Sequence, residues 1–354
     1  MLPQASLLGI LAMIGAETFA PAEATLLFAG DAMQHGPQLK AARQPDGSFD
    51  FDYCFTEVKP IVEEADYAIV NLETPVGLST FSGYPQFSAP ASYATALKNA
   101  GFDFILTANN HTVDRGHKGL KRTIEVLDSL GLPHVGTYVD SHARDSLLPM
   151  IKNVKGFKLG FLNYTYDTNG LPVTGGTVVD IIDRKQMADD IKRAREAGAE
   201  ILIVSMHWGI EYQMLPPAQV RQLADFLKNQ GVDIINGGHP HVIEPMELEH
   251  NPAIGRNTAL IYSLGNFISN QQQTDSRGGA MAKVTLKRDS AGTAYVDSLA
   301  YRLVFVVPKG HDSPNYKLYP AEMVDNPAWN STRDRFVSNA TAIFNKHNVN
   351  VTSW

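Results

Sequence analysis

The chain has 354 residues, a formal charge of −7, and a composition that is 44% hydrophobic and 19% charged. That balance excludes a disordered chain and leaves room for one large or two ordinary domains with a substantial core. No run of Lys or Arg supplies the basic stripe that binds a phosphate backbone, which argues against nucleic acid as a partner, and the single cysteine, Cys54, excludes an internal disulfide and a cysteine-rich zinc site.

Residues 1–24 read as a secretory signal peptide. An apolar run over 7–16 is followed by Pro21 and by Ala22-Glu23-Ala24, an A-x-A cleavage pattern, although no Lys or Arg precedes the run. The run is too short for a comfortable membrane span. The expectation is an exported protein, periplasmic or associated with the cell envelope, with no transmembrane span in the mature chain.

A strand is expected at 25–29, followed by a loop rich in Gly, Pro and Gln. Apolar periodicity predicts a helix near 55–65, kinked or restarted by Pro60. Cys54, between Tyr53 and Phe55, reads as a small buried hydrophobe. A strand at 67–72, a helix at 91–100 stopped by Gly101, a strand at 102–107 and a helix at 118–130 closed by Gly131 follow. Segments 149–154 and 157–162 flank Lys155-Gly156 as a hairpin. A helix at 184–197 precedes a strand at 201–206, and a helix at 218–229 precedes a strand at 232–235. Strands at 258–263, 280–287 and 294–307 are expected to be antiparallel and to close a second sheet. The sum is an α/β chain whose natural packing is a four-layer α/β/β/α sandwich over 25–307. Residues 308–354, rich in Asn, Pro and Ser, read as a C-terminal appendage with a short helix near 333–345.

Five polar motifs sit at the ends of apolar strand-like runs: Gly30-Asp31, Asn71-Leu72-Glu73, Asn109-Asn110-His111, His207-Trp208-Gly209 and Gly238-His239-Pro240-His241. Open α/β folds place their sites at the carboxyl ends of strands, so these motifs are expected to converge. Asp31 and Glu73 are anionic ligands, and Glu73 has two oxygens able to bridge two cations. Asn110 offers a carbonyl oxygen, and His207, His239 and His241 offer imidazoles. This set suits two divalent ions, Mn, Zn, Fe or Mg, at a spacing of about 3.5–4 Å. His111 suits a general acid, and Asp114 is either its orienting partner or a turn residue before the helix at 118. Glu211 and Asn266 are candidate substrate contacts.

The series GD, NLE, NNH, HWG and GGHPH, with YSLGNF at 262–267, resembles the CapA type of capsule-biosynthesis protein, named for poly-γ-glutamate synthesis. That family is similar to the calcineurin-like metallophosphoesterases. The resemblance covers roughly 25–307 and implies a metallophosphatase-like sandwich. It implies that Asp31, Glu73 and His241 hold one ion and that Glu73, Asn110, His207 and His239 hold the other. Four positions depart from the metallophosphoesterase pattern: Met33 stands at the histidine of Asp-x-His, Glu73 at a bridging aspartate, Asn109 at a glycine, and Thr112 at an acid. A thioether is a poor ligand for hard ions, and His35, two residues on, is the candidate substitute.

The function expected is a dinuclear metal-dependent phosphoester hydrolase of capsule or polyglutamate biosynthesis. Two alternatives stand beside it: a non-catalytic accessory that uses cations to hold an anionic capsule polymer alongside capsule-synthesis proteins, and a γ-glutamyl amide hydrolase.

Overall fold

Successive residues of a strand face opposite sides of its sheet, and the first strand, Ala24–Ala32, uses both sides. Leu26 and Phe28 enter one core, while Leu27 and Ala29 enter another. This double burial explains why the strand reads as one continuous apolar run. The computed structural model describes residues 23–310 and 313–354. Of the expected signal peptide, residues 1–22 lie outside the described residues, and Ala24 opens the first strand.

Two mixed sheets face each other. Among the described residues the larger has nine strands: Lys317–Pro320, Ala294–Val307, Gly278–Arg288, Ala24–Ala32, Tyr67–Leu72, Phe104–Leu106 and His134–Val135 in spatial order, with Asn266–Ile268 paired to Ala24–Ala32 and Thr352–Ser353 to Ala294–Val307. The smaller has six: Met246–Asn251, Arg256–Ile261, Ile234–Gly238, Ile201–His207, Phe157–Thr165 and Met150–Val154. Phe104 and Phe161 stack across the space between them with ring centroids 4.3 Å apart. Phe51, Phe55, Tyr93 and Leu97 cover the outer face of the larger sheet. The helices Arg184–Glu196 and Ala218–Asn229 bring Met187, Ile191, Ala224 and Leu227 to the smaller sheet's side of the core. The architecture is the layered sandwich expected.

The late strands depart from expectation. They do not close a sheet of their own. Arg256–Ile261 runs parallel to Ile234–Gly238 in the smaller sheet, whereas Gly278–Arg288 and Ala294–Val307 join the larger sheet, antiparallel, beside the first strand. Alternation of apolar residues marks a strand but does not name its partner. The helix near 55–65 is also shorter than expected. A 3-10 turn at Asp52–Phe55 leads to Lys59–Glu63, where Pro60 occupies the first turn, a place that needs no N–H. Short helices at Gly36–Ala42 and Ser141–Leu147 add to the expected elements, and the C-terminal helix is longer, Asn330–His347. Its Phe336 and Phe344 are buried in the inter-sheet core.

Parallel pairing sets the site. Ala24–Ala32, Tyr67–Leu72 and Phe104–Leu106 run together in one sheet, and Phe157–Thr165, Ile201–His207 and Ile234–Gly238 in the other. Their carboxyl ends carry all five polar motifs.

Candidate metal centre

The centre is assembled by close backbone approach. A Cβ on Gly30 would lie 2.0 Å from the Gly265 carbonyl oxygen, and one on Gly238 would lie 2.8 Å from Asp31 Oδ1. Only glycine at both places lets the loop of the second sheet reach the first strand. The His239 N–H then donates to Asp31 Oδ2 at 3.2 Å. His239 and His241 both take left-handed backbone conformations, φ 98° and 58°, which is uncommon for non-glycine residues. The turn at Pro240 leaves their ring centroids 6.0 Å apart.

Asp31, Glu73 and His207 form the tight cluster, with one ligand atom from each within 4.8 Å of the others. His241 Nδ1 is 3.4 Å from Asp31 Oδ2, and its Nε2 is 3.9 Å from Glu73 Oε1. His207 Nε2 is 3.5 Å from Glu73 Oε1 and 2.9 Å from Asn110 Oδ1. His239 packs at 4.9 Å from His207, ring to ring. Asp31, Glu73, Asn110, His207, His239 and His241 are therefore brought together.

Burial dominates the electrostatics. It pushes against charge on Asp31, yet the hydrogen bond to His241 and the charge of His207 hold its carboxyl well below the usual carboxylate range. Burial also opposes charge on His241, but Glu73 and Asp31 overcome it and push the ring up to about 9. His239 goes the other way: burial, then the neighbouring His207 and His241, keep it well below the ordinary imidazole range. Glu73 is 0% exposed, and among the described residues neither of its oxygens has a hydrogen-bond donor. Such orphaned buried acceptors are rare. His239 Nδ1 is likewise unpartnered. Carboxylate, carboxamide and imidazole donors with open valences fit a divalent cation.

His111 lies beside this cluster, buried, with Nδ1 2.8 Å from Asp114 Oδ2. A carboxylate only accepts, so Nδ1 carries the hydrogen and Nε2 is the free nitrogen. Asp114 Oδ2 also accepts the Phe87 N–H at 2.7 Å. His35 does not join the tight cluster. It precedes the helix Gly36–Ala42, and its Nδ1 accepts the Asn270 N–H at 3.3 Å. Burial and the charge of His241 lower its pKa to about 4. Met33 is buried beside it. Glu211 is exposed at the rim, where its charge acts on Tyr166, Tyr212 and His241. Asn266, expected to touch substrate, is buried behind the site. Its Oδ1 is 3.1 Å from His241 Nδ1, and its Nδ2 donates to Gln271 and to the Ser276 carbonyl.

Sequence reasoning missed the amides that position the ligands. Asn71 Nδ2 donates to Asp31 Oδ1 at 2.8 Å, and Asn71 Oδ1 accepts from Asn109 Nδ2 at 3.1 Å. Asn109 Oδ1 in turn accepts the His111 N–H at 3.1 Å. Asn163 bridges the two sheets: Oδ1 takes the N–H groups of Thr107 and Ala108 at 3.0 and 2.7 Å, and Nδ2 donates to the Ser205 carbonyl. Asn71 and Asn109 stand inside the recognised motifs. Asn163 gives no signal beyond being an amide in an apolar strand.

Mixed sheets packed face to face, with carboxylates and imidazoles at their shared edge, define an α/β sandwich of the calcineurin-like metallophosphoesterase kind. The fold is similar to that of the Haemophilus influenzae NAD nucleotidase (NadN), with a TM-score of 0.50 at 13% identity, covering 94% of this chain and 57% of that one. The chain thus spans little more than half of that protein, and the likeness is one of fold. Residues 25–271 match the family described as bacterial capsule synthesis protein PGA_cap. The chain belongs to this family. It is 30% identical over 298 residues to the capsule biosynthesis protein CapA of Bacillus anthracis, covering 80% of this chain and 69% of that protein. It is also 30% identical over 314 residues to the PGA biosynthesis protein CapA of Bacillus subtilis (strain 168), covering 85% and 78%. Among the described residues, no helix is long and apolar enough to cross a membrane.

Proposed function

We propose that the protein is an exported, metal-dependent phosphoester hydrolase that acts in building a capsule or envelope polymer. Glu73 carries this reading. It is a fully buried carboxylate with two unpartnered oxygens, facing imidazoles at 3.5 and 3.9 Å. An isolated buried carboxylate is costly unless paired or bound to a cation.

Two divalent ions would be held by Asp31, Glu73 and His241 and by Glu73, Asn110, His207 and His239, with Glu73 common to both. When bound, such ions supply Lewis acidity toward a phosphoryl oxygen and lower the pKa of an attacking water. The chain's own residues do the rest. Asn71 fixes the Asp31 carboxylate, and Asn266 faces His241 Nδ1 and sets its ring. Asp114 accepts the His111 Nδ1–H and orients the ring, and to act as the general acid His111 carries a second proton, on Nε2, which it gives to the leaving oxygen. Two relatives are named for capsule and PGA biosynthesis, which supports a role in building such a polymer. Those names speak of synthesis, and they favour one rival: a cation-dependent holder of the polymer that cleaves nothing.

Turnover separates the two. Protein loaded with Mn²⁺ is expected to hydrolyse bis(p-nitrophenyl) phosphate or p-nitrophenyl phosphate, and His111→Ala to lose about 100-fold or more. Background turnover by metal-loaded protein, together with chelator-sensitive binding of polyglutamate, would overturn the hydrolase in favour of the holder. Cleavage of γ-glutamyl peptides alone would move the activity to amide bonds.

A further inference from the structure

Besides Tyr166, which packs on His239 at 4.5 Å, two tyrosines stand at the mouth of the centre with their rings in water: Tyr84, 75% exposed, and Tyr212, 41% exposed. Exposed aromatic surface forgoes apolar burial, yet the backbone that carries each ring is held in place.

The Tyr84 loop is bound to the His111 loop. Arg115 donates to the carbonyl oxygens of Gln86 and Phe87, at 2.6 and 3.2 Å, and to the Ser82 hydroxyl. Asp114, which holds His111, also holds the Phe87 N–H. The Phe87 ring sits edge-on to His111 at 4.6 Å and 6.4 Å from Tyr84. Gly83 packs so closely that a Cβ there would fall 2.2 Å from the Gly36 nitrogen.

Tyr212 is held separately. Its φ is 64°, a left-handed conformation that a bulky side chain rarely adopts. Its N–H donates to the Pro240 carbonyl at 2.8 Å, between the two imidazoles of the His-Pro-His turn. Its hydroxyl accepts from Gln271 at 3.3 Å, and its ring lies 6.2 Å from His241. Tyr84 thus stands beside Phe87, which packs on His111, and Tyr212 stands beside His241, so both rings lie on the rim of the centre.

The charges at this mouth are unfriendly to a polycarboxylate. The Arg115 guanidinium is engaged by protein oxygens. Apart from Glu73, whose charge the bound ions would neutralise, the carboxylates that bear on the Tyr166 and Tyr212 hydroxyls are those of Glu211 and Asp167. A neutral ring, by contrast, meets two aromatic rings at the rim.

We propose that Tyr84 and Tyr212 select the substrate by flanking an uncharged ring attached to its phosphoryl group, either an arene or a sugar-like saturated ring. This rests on the phosphoester reading above. Calorimetry on the full chain loaded with Mn²⁺, using methylphosphonate, phenylphosphonate and cyclohexylphosphonate, tests it without requiring turnover. Phenylphosphonate is expected to bind the wild type about 10-fold tighter than methylphosphonate. That ratio should fall to about 2 in Tyr84→Ala and in Tyr212→Ala and persist in the two Phe variants. An equal advantage for cyclohexylphosphonate points to a sugar-like ring, and an advantage for phenylphosphonate alone points to an arene. A wild-type ratio near one, or a ratio that survives both Ala substitutions, overturns the proposal while leaving the phosphoryl site standing. If no phosphonate binds the metal-loaded protein, the phosphoryl site itself is refuted, and this proposal with it.

Discussion

Glu244 lies three residues after His241, at the base of the loop that carries two imidazoles. It is 0% exposed, neither of its oxygens has a partner, and burial alone raises its pKa from 4.5 to about 8. The folded protein therefore holds a proton that the unfolded chain releases. Stability from that proton is fully present below pH 4.5 and is lost as pH rises through 8. A pKa that differs by one between the folded and unfolded chain corresponds to about 1.4 kcal/mol, so the loss is about 1 kcal/mol by pH 5, about 3 by pH 7 and nearly 5 by pH 9. Glu244→Gln keeps the shape and cannot ionise. The stability difference between variant and wild type should grow in the variant's favour by about 4 kcal/mol from pH 5 to pH 9. Urea denaturation of both proteins at pH 5, 7 and 9, with linear extrapolation to water, measures it. Titrations elsewhere, including those of the metal ligands, cancel in the difference. A difference that stays constant within about 1 kcal/mol across this range would mean that Glu244 is solvated or paired in solution, and the reasoning fails.

Divalent metal at about 100 times its Kd should stabilise the fold by about 2.7 kcal/mol, or about 4 °C in Tm for a chain of this size, reversed by chelation. Differential scanning fluorimetry reads the change in Tm, and Glu73→Gln should abolish it; a change undiminished in that variant would place the metal elsewhere. Asn71→Ala removes the donor to Asp31 and should weaken metal binding about 10- to 100-fold by calorimetry, with the fold intact. Asn163→Ala strips the buried Ala108 N–H of its acceptor, since Thr107 keeps a second bond to Val135. It should cost about 2 kcal/mol in urea denaturation and lower turnover by loosening the Asn110–His111 loop.

The layered fold and the ligand cluster were legible for one reason: a buried parallel strand reads as an apolar run, and polar residues at its carboxyl end stand out against it. Asp31, Glu73 and His207 each follow such a run. Pairing was not legible, because Gly278–Arg288 alternates in the same way whichever sheet it joins. Its place is decided by contacts with Leu26 and Phe28, some 250 residues away in sequence. Second roles were also hidden. An asparagine before an aromatic, as in Asn266-Phe267, looks alike whether it touches substrate or steadies a histidine. His35 looks like a ligand because it sits near Asp31, but the turn into the helix Gly36–Ala42 occupies one of its nitrogens with a backbone amide.

The strand Ala24–Ala32 is flanked by Tyr67–Leu72 on one side and by Gly278–Arg288 on the other. A nascent chain emerging from the ribosome thus carries Asp31 long before its antiparallel neighbour exists. A fragment ending at residue 271, where the family match stops, would own every candidate ligand yet leave a bare apolar edge ready to stick to another copy. The last quarter of the chain covers the edge of the strand that carries Asp31.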